Sequence, residues 1–315
     1  MTEEHQNERD EPLSESEEAD FTSKAFRVLW QEGKSENDLR KELSLLLAQQ
    51  VTFLRAQHNL NDYEVVFVWK DDQGLADDDV TAVYAALPAK QEPKKKVLML
   101  LDSTGGKIEP AYLISKACKR LSQNFCVAIP RKAKSAATLI SLGASEIHVG
   151  LSSELGPIDP QIGGIPAQAL SNSLRSVAAV VSEYPGSAVM FSKFLSEQLN
   201  LRHLGYFERL NESAVQYGSR LLGERKFPDG RTSDDLARHL VYHYKDHSFV
   251  IDMDEALALF GDDVVRTDTK EYVFSKDVQS AINLINVLLD IKHNKRMIVV
   301  GSASSGITLL SLDSQ

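Results

Sequence analysis

The run from Val97 to Gln161 opens with VLMLLDSTGG (Val97–Gly106), continues through PRKAKSAATLISLG (Pro130–Gly143) and closes on LGPIDPQ (Leu155–Gln161). Val97–Leu101 is an unbroken apolar run ending in turn residues, the pattern of a strand buried on both faces. After Glu109 and Pro110, residues Ile114, Ala117, Cys118 and Leu121 share one helical face. Phe125–Ile129 predicts a second strand, Ser135–Leu142 a short buried helix and Glu146–Val149 a third strand. Each strand is followed by a crossover and another strand, so the expected fold class is α/β with a parallel sheet. In such sheets chemistry sits beyond the carboxyl ends of the strands. Gly105 and Gly106 fall at one such end and Ser135 at the next.

Working outward, Met1–Asp20 holds nine carboxylates and almost no apolar residues, which predicts a disordered acidic tail preceding one domain over residues 21–315. Two helices are expected between Phe21 and Asn59, with Asn37 or Asp38 capping the second and Leu39, Leu43, Leu46, Leu47 and Phe53 on one face. A strand at Glu64–Trp69 and a helix at Val80–Leu87 lead into the central run. Beyond it, helices are expected near residues 167–182, 187–199, 206–222, 233–244 and 252–260, then a short strand at Val264 and Val265, a helix at 276–292 and a strand at Met297–Val300.

Composition excludes several classes. The net charge of −10 and the lack of a basic stripe argue against nucleic acid or an anionic membrane as partner. No stretch approaches the roughly 18 apolar residues needed to cross a bilayer, and the acidic start is unlike a signal peptide. A cytoplasmic location is therefore expected. Two cysteines, Cys118 and Cys126, read as small buried hydrophobes rather than a disulfide framework.

DSTGG followed by a helix, the K-S-A-A-T helix start, ASEIHVG and LGPIDPQ together resemble the Clp protease and crotonase superfamily. Within it they are most similar to the serine dehydrogenase proteinases, Clp-fold serine proteases related to signal peptide peptidase A. The resemblance is strongest over Val97–Gln161 and weaker out to about Val265. It implies a Clp/crotonase-like fold of repeated β-β-α units with peripheral helices, assembly into homo-oligomers, and serine-type hydrolysis of peptide or protein substrates without metal or organic cofactor. The chain departs from the family pattern at Thr104, where proline is usual, and at Ala137, where glycine is common.

Ser135 is the candidate nucleophile, placed at a helix start where free amides favour negative charge. Its bland alternative is a simple helix cap. By position against the family pattern, the amides of Gly106 and Ala136 are the candidate oxyanion donors, and Gly105 lets substrate backbone approach. The base is left open. Clp proteases carry a histidine about two dozen residues after the nucleophile, but here that place holds GPIDPQ. Signal peptide peptidase A relatives use lysine, and the first lysine after Ser135 is Lys193, among Val189, Met190, Phe191 and Phe194. His247, in DHSFVID, is the other candidate, with a structural role as its alternative; the spacing of His239, His243 and His247 also allows one helix face. Asp159 is expected to orient a base or shape the substrate rim, and Asp102 to cap its turn. Rival readings are a catalytically silent Clp-fold module that binds a peptide or partner, and a crotonase-type acyl-CoA enzyme.

Overall fold

The computed structural model describes residues 15–88, 94–198 and 201–312. Strands β1 (Tyr63–Asp71), β2 (Lys96–Ser103), β3 (Phe125–Ala128), β4 (Lys132–Ala133), β5 (Glu146–His148), β6 (Glu154–Leu155), β7 (Gln161–Ile162), β8 (Ile165–Pro166), β9 (Val265–Arg266), β10 (Lys295–Gly301) and β11 (Ile307–Ser311) follow in chain order. The main sheet runs β11-β10-β1-β2-β3-β5-β9, with β4 paired to β2 and β6. From β1 to β9 its pairs are parallel, and β10 and β11 close one edge antiparallel. This is the Clp-like α/β architecture that the resemblance implied.

The central strand is buried on both faces because its side chains alternate between two cores. Val97, Met99 and Leu101 join Ile114, Val127, Leu139 and Ile140 in one core, while Leu98 and Leu100 join Leu43, Leu47, Phe274 and Ile282 in the other. Helices α1 (Glu15–Trp30), α2 (Glu36–Gln57) and α11 (Lys270–His293) cover the second face. The first face is covered by α3 (Asp77–Ala86), α4 (Ile108–Leu121), α5 (Ala136–Leu142), α8 (Leu201–Leu222), α9 (Ser233–Tyr242) and α10 (Met253–Phe260). Between β8 and α8, helices α6 (Ala169–Glu183) and α7 (Ala188–Gln198) stand away from both cores, and α6 buries none of its side chains.

Several elements differ from expectation for local reasons. Helix α2 is capped by Ser35, which accepts from the Asp38 amide at 3.2 Å, so Asn37 and Asp38 lie inside the first turn. Leu54 takes the core position expected for Phe53, which is 40% exposed. Helix α11 begins six residues earlier than its apolar periodicity suggested, because Thr269 caps it by accepting from Tyr272 N–H at 3.2 Å. Of the acidic tail expected over Met1–Asp20, residues 1–14 lie outside the described residues, and the remainder already belongs to α1. No helix among the described residues is long and apolar enough to cross a membrane.

Candidate active site

The glycine turn after β2 and the approach to α5 are bonded to each other. Ser103 pairs with Ala133 of β4, and its carbonyl accepts from Lys134 N–H at 3.0 Å. The Ser103 hydroxyl in turn accepts from Gly105 N–H at 3.1 Å. From the other side, Leu75 donates to the Gly105 carbonyl at 2.7 Å and accepts from Lys107 N–H at 3.1 Å. The turn is thus held between the segment before α3 and the residues before α5.

Both glycines are required there. A Cβ on Gly105 would stand 2.8 Å from Ser135 Cβ and 3.1 Å from Ala136 N, and a Cβ on Gly106 would stand 2.1 Å from Leu75 N. Their φ values of +112° and +135° lie where side chains are strained in any case. The 105–106 turn and Ser135 are therefore direct neighbours, as the candidate chemistry demands.

Ser135 adopts φ 52° and ψ −120° and makes no capping bond through its side chain. Ser135 holds the N-cap position of α5, its carbonyl accepting from Leu139 N–H at 3.1 Å, but its hydroxyl caps nothing. A non-glycine residue at such angles costs about 1–3 kcal/mol and persists only where the surroundings enforce it. The same strained strand-to-helix turn is what exposes a nucleophile above a sheet. Behind it α5 is wholly buried, and Thr138 anchors it by donating to the Ala133 carbonyl at 2.6 Å and accepting from Gly156 N–H at 3.0 Å. Among the described residues, the amides of Gly106 and Ala136 have no backbone acceptor, while the neighbouring Gly105, Lys107, Lys134 and Ala137 amides are all satisfied.

Ser135 opens into a cleft of about 700 Å³ together with Gly106, Ala136, Asp159 and His247. Leu139, Ile158, Tyr206 and Leu210 supply its apolar wall. Asp159 is 3% exposed, and its Oδ1 lies 2.7 Å from His247 Nδ1. With the carboxylate ionised, Nδ1–H is the donor and Nε2 keeps a free lone pair. Two distant segments are clamped to make this pair. Leu155 and Ile251 exchange amide bonds at 2.9 and 3.0 Å, and Ile158 N–H donates to the Leu240 carbonyl at 3.1 Å. Asp246 receives the Ser248 amide and hydroxyl at 2.9 and 2.8 Å, and this turn presents the histidine.

The other sequence candidates lie elsewhere. Lys193 is exposed on α7 and does not line the cleft. The lysine next to Ser135, Lys134, is already engaged, by Glu154 at 3.0 Å and by the Leu155 and Phe249 carbonyls at 3.2 and 3.3 Å. The three-histidine helix face does not form: α9 ends at Tyr242, His239 and His243 stack on each other, and His247 turns to Asp159.

Asp102 does not cap its turn. It lies on the opposite face of the sheet, 5% exposed, with Oδ1 unpartnered, in a cleft shared with Arg131 and Gln279. Burial raises its carboxyl to about 6, against the pull of Lys132 and Arg131. An unfolded aspartate titrates near 4, so the folded chain binds more protons between about pH 4 and pH 6. Stability then falls as pH rises through that window and stays lower above it. Asp102→Asn is expected to raise Tm at about pH 7.5, by the equivalent of at most about 3 kcal/mol, and to have little effect near pH 4. Thermal melts of both proteins at the two pH values check this.

Fold and site together set a strained serine at a helix start beside a glycine turn, at one wall of a cleft. Residues 74–181 match the ClpP-like SDH-type serine proteinase family, the class that the motifs implied. Two uncharacterised proteins of Methanocaldococcus jannaschii are similar to this chain. One is 34% identical over 88 residues (28% of this chain, 31% of the relative), the other 31% over 101 residues (32% and 35%). The matched stretch spans about a third of each relative's length. Two mutant forms of the 1510-N membrane-bound stomatin-specific protease, one of them with a substrate peptide, superpose with TM-scores of 0.41 and 0.40 at 14% and 15% identity. They cover 80% of this chain and 92% and 87% of their own.

Proposed function

We propose that this chain is a serine peptidase in which Ser135, His247 and Asp159 act as a triad. The observation that carries it is the 2.7 Å Asp159–His247 pair, facing the cleft that the strained Ser135 also lines. His247 Nε2 takes the proton of the Ser135 hydroxyl as Oγ attacks the scissile carbonyl. The carbonyl oxygen, now anionic, is received by the Gly106 and Ala136 amides. The imidazolium then gives its proton to the departing amine, and water hydrolyses the acyl-enzyme by the same route in reverse. Asp159 holds the tautomer and stabilises the imidazolium. The order Ser, Asp, His along the chain puts the acid where Clp proteases have their histidine. The same geometry with another chain order is familiar among hydrolases.

The substrate class is a peptide or protein chain. Gly106 already bridges to Leu75 in parallel strand fashion, and this supports an extended substrate running along the same turn. The apolar wall of Leu139, Ile158 and Leu210 supports an apolar side chain beside the scissile bond. Self-association through the peripheral helices belongs to the same reading, supported by Val189, Met190 and Phe194, which are 81%, 60% and 58% exposed on α7.

Peptide hydrolysis by Lys193→Ala and His247→Ala variants separates the two candidate bases. We expect Lys193→Ala to keep wild-type kcat/KM and His247→Ala to lose nearly all of it. The opposite pattern would move the base to the lysine. Hydrolysis by neither the wild type nor the variants, with peptide still bound, is the outcome that a silent binding module gives.

A further inference from the structure

On the sheet face opposite the cleft lies a second cluster of ligating side chains that the proposed reaction does not use. Cys126 on β3 and Glu146 on β5 are register partners, and His148 follows two residues after Glu146, so all three project to one face. One donor atom from each lies within 4.8 Å of the others. Cys126 Sγ is 3.7 Å and His148 Nε2 is 3.8 Å from the same oxygen, Glu146 Oε2.

His148 carries the inference. It is 2% exposed, and its Nε2 is buried without a hydrogen-bond partner. Its Nδ1 lies 2.9 Å from Thr269 Oγ1, the hydroxyl that caps α11. With Nδ1–H donating to that oxygen, the Nε2 lone pair is left without a donor at hydrogen-bond distance, since the Cys126 thiol is turned to Glu146. A buried acceptor left this way is unfavourable unless something binds it.

We propose that Cys126, Glu146 and His148 bind a zinc ion. Tetrahedral zinc, with bonds of about 2.3 Å to sulfur and 2.0–2.1 Å to nitrogen or oxygen, holds its donors roughly 3.4–3.6 Å apart. The two separations to Glu146 Oε2, 3.7 and 3.8 Å, need to close by only a few tenths of an ångström, and the Cys126–His148 separation, within 4.8 Å, closes by a turn of the Cys126 side chain. A thiolate with an imidazole and a carboxylate suits zinc, whereas calcium and magnesium take oxygen sets. On binding, Cys126 gives its thiol proton to solvent and its sulfur forms the Zn–S bond. His148 binds neutral and Glu146 as the carboxylate, with no change of oxidation state, and a water completes the tetrahedron. The two anionic ligands neutralise the divalent charge. Thr269 and Arg266, the latter 3.2 Å from Glu146 Oε1, orient the ligands from behind. Glu146 is partly exposed and gives the ion its way in. The ion ties β3 and β5 to the start of α11.

Metal analysis of the purified full chain after dialysis, by plasma mass spectrometry, tests this. Stoichiometric zinc is expected in the wild type and in Ser135→Ala, and its loss in Cys126→Ser and His148→Gln. Cobalt added to metal-free wild type is expected to give a thiolate-to-cobalt charge-transfer band, which does not depend on either variant folding. Absence of both tight zinc and the cobalt band in the wild type overturns the proposal, as does zinc retained by both variants. Labelling of Ser135 by a phosphonate probe is scored separately, so failure here leaves the peptidase reading where it stands.

Discussion

His247→Ala is expected to lower kcat for peptide hydrolysis by about 10⁴-fold or more while leaving Tm nearly unchanged. The imidazole is a partly exposed side chain bonded to Asp159, so its removal costs little packing. In the proposed mechanism it removes the group that takes and returns the proton. Asp159→Asn is expected to fall by a comparable factor. The amide can donate to Nδ1, which turns the ring into the tautomer whose Nε2 carries hydrogen and cannot act as base. Steady-state kinetics alongside thermal melts separate the two effects. A loss of activity matched by a loss of fold would point to a structural histidine instead.

Gly106→Ala is the second large effect. The added methyl would stand 2.1 Å from Leu75 N and 2.8 Å from the Gly74 carbonyl carbon, on a backbone with φ +135°. Relief requires the 105–107 turn to pull away from Leu75, breaking the two bonds that hold it. The Gly106 amide, the proposed oxyanion donor, then swings out of line, and one such donor is worth about 10² to 10³ in kcat. The left-handed backbone adds roughly 1–3 kcal/mol of destabilisation. Gly186→Ala is the control, since its Cβ meets nothing within 4 Å and its φ is ordinary. It is expected to match the wild type in both kinetics and Tm.

The central strands and the glycine turn were legible because their signals are local. An apolar run bounded by turn residues reads the same in any context, and the strands at Val97–Leu101 and Phe125–Ile129 stand within a few residues of expectation. Strands β4 and β6 are two residues each and exist only through pairing with β2 and each other, so no periodicity announces them. The Asp159–His247 pair was hidden for a similar reason. Asp159 and His247 are 88 residues apart and meet because the Leu155–Ile251 bridge clamps their loops together. Lys193 has apolar neighbours in sequence, yet on α7 Val189, Met190 and Phe194 are exposed and the lysine is exposed with them. The cluster around His148 was equally invisible, since Cys126 reads as an ordinary strand hydrophobe until β3 and β5 are set side by side.

The proposed peptidase rests on a Ser135 hydroxyl activated by His247 beside the Gly106 and Ala136 amides. Reaction of the full chain with a fluorophosphonate probe, followed by intact-mass measurement and peptide mapping, tests it most directly. One adduct per chain is expected, mapped to Ser135, abolished in Ser135→Ala, strongly slowed in His247→Ala and unaffected in Lys193→Ala. An unmodified wild type, or an adduct on another residue, would contradict it.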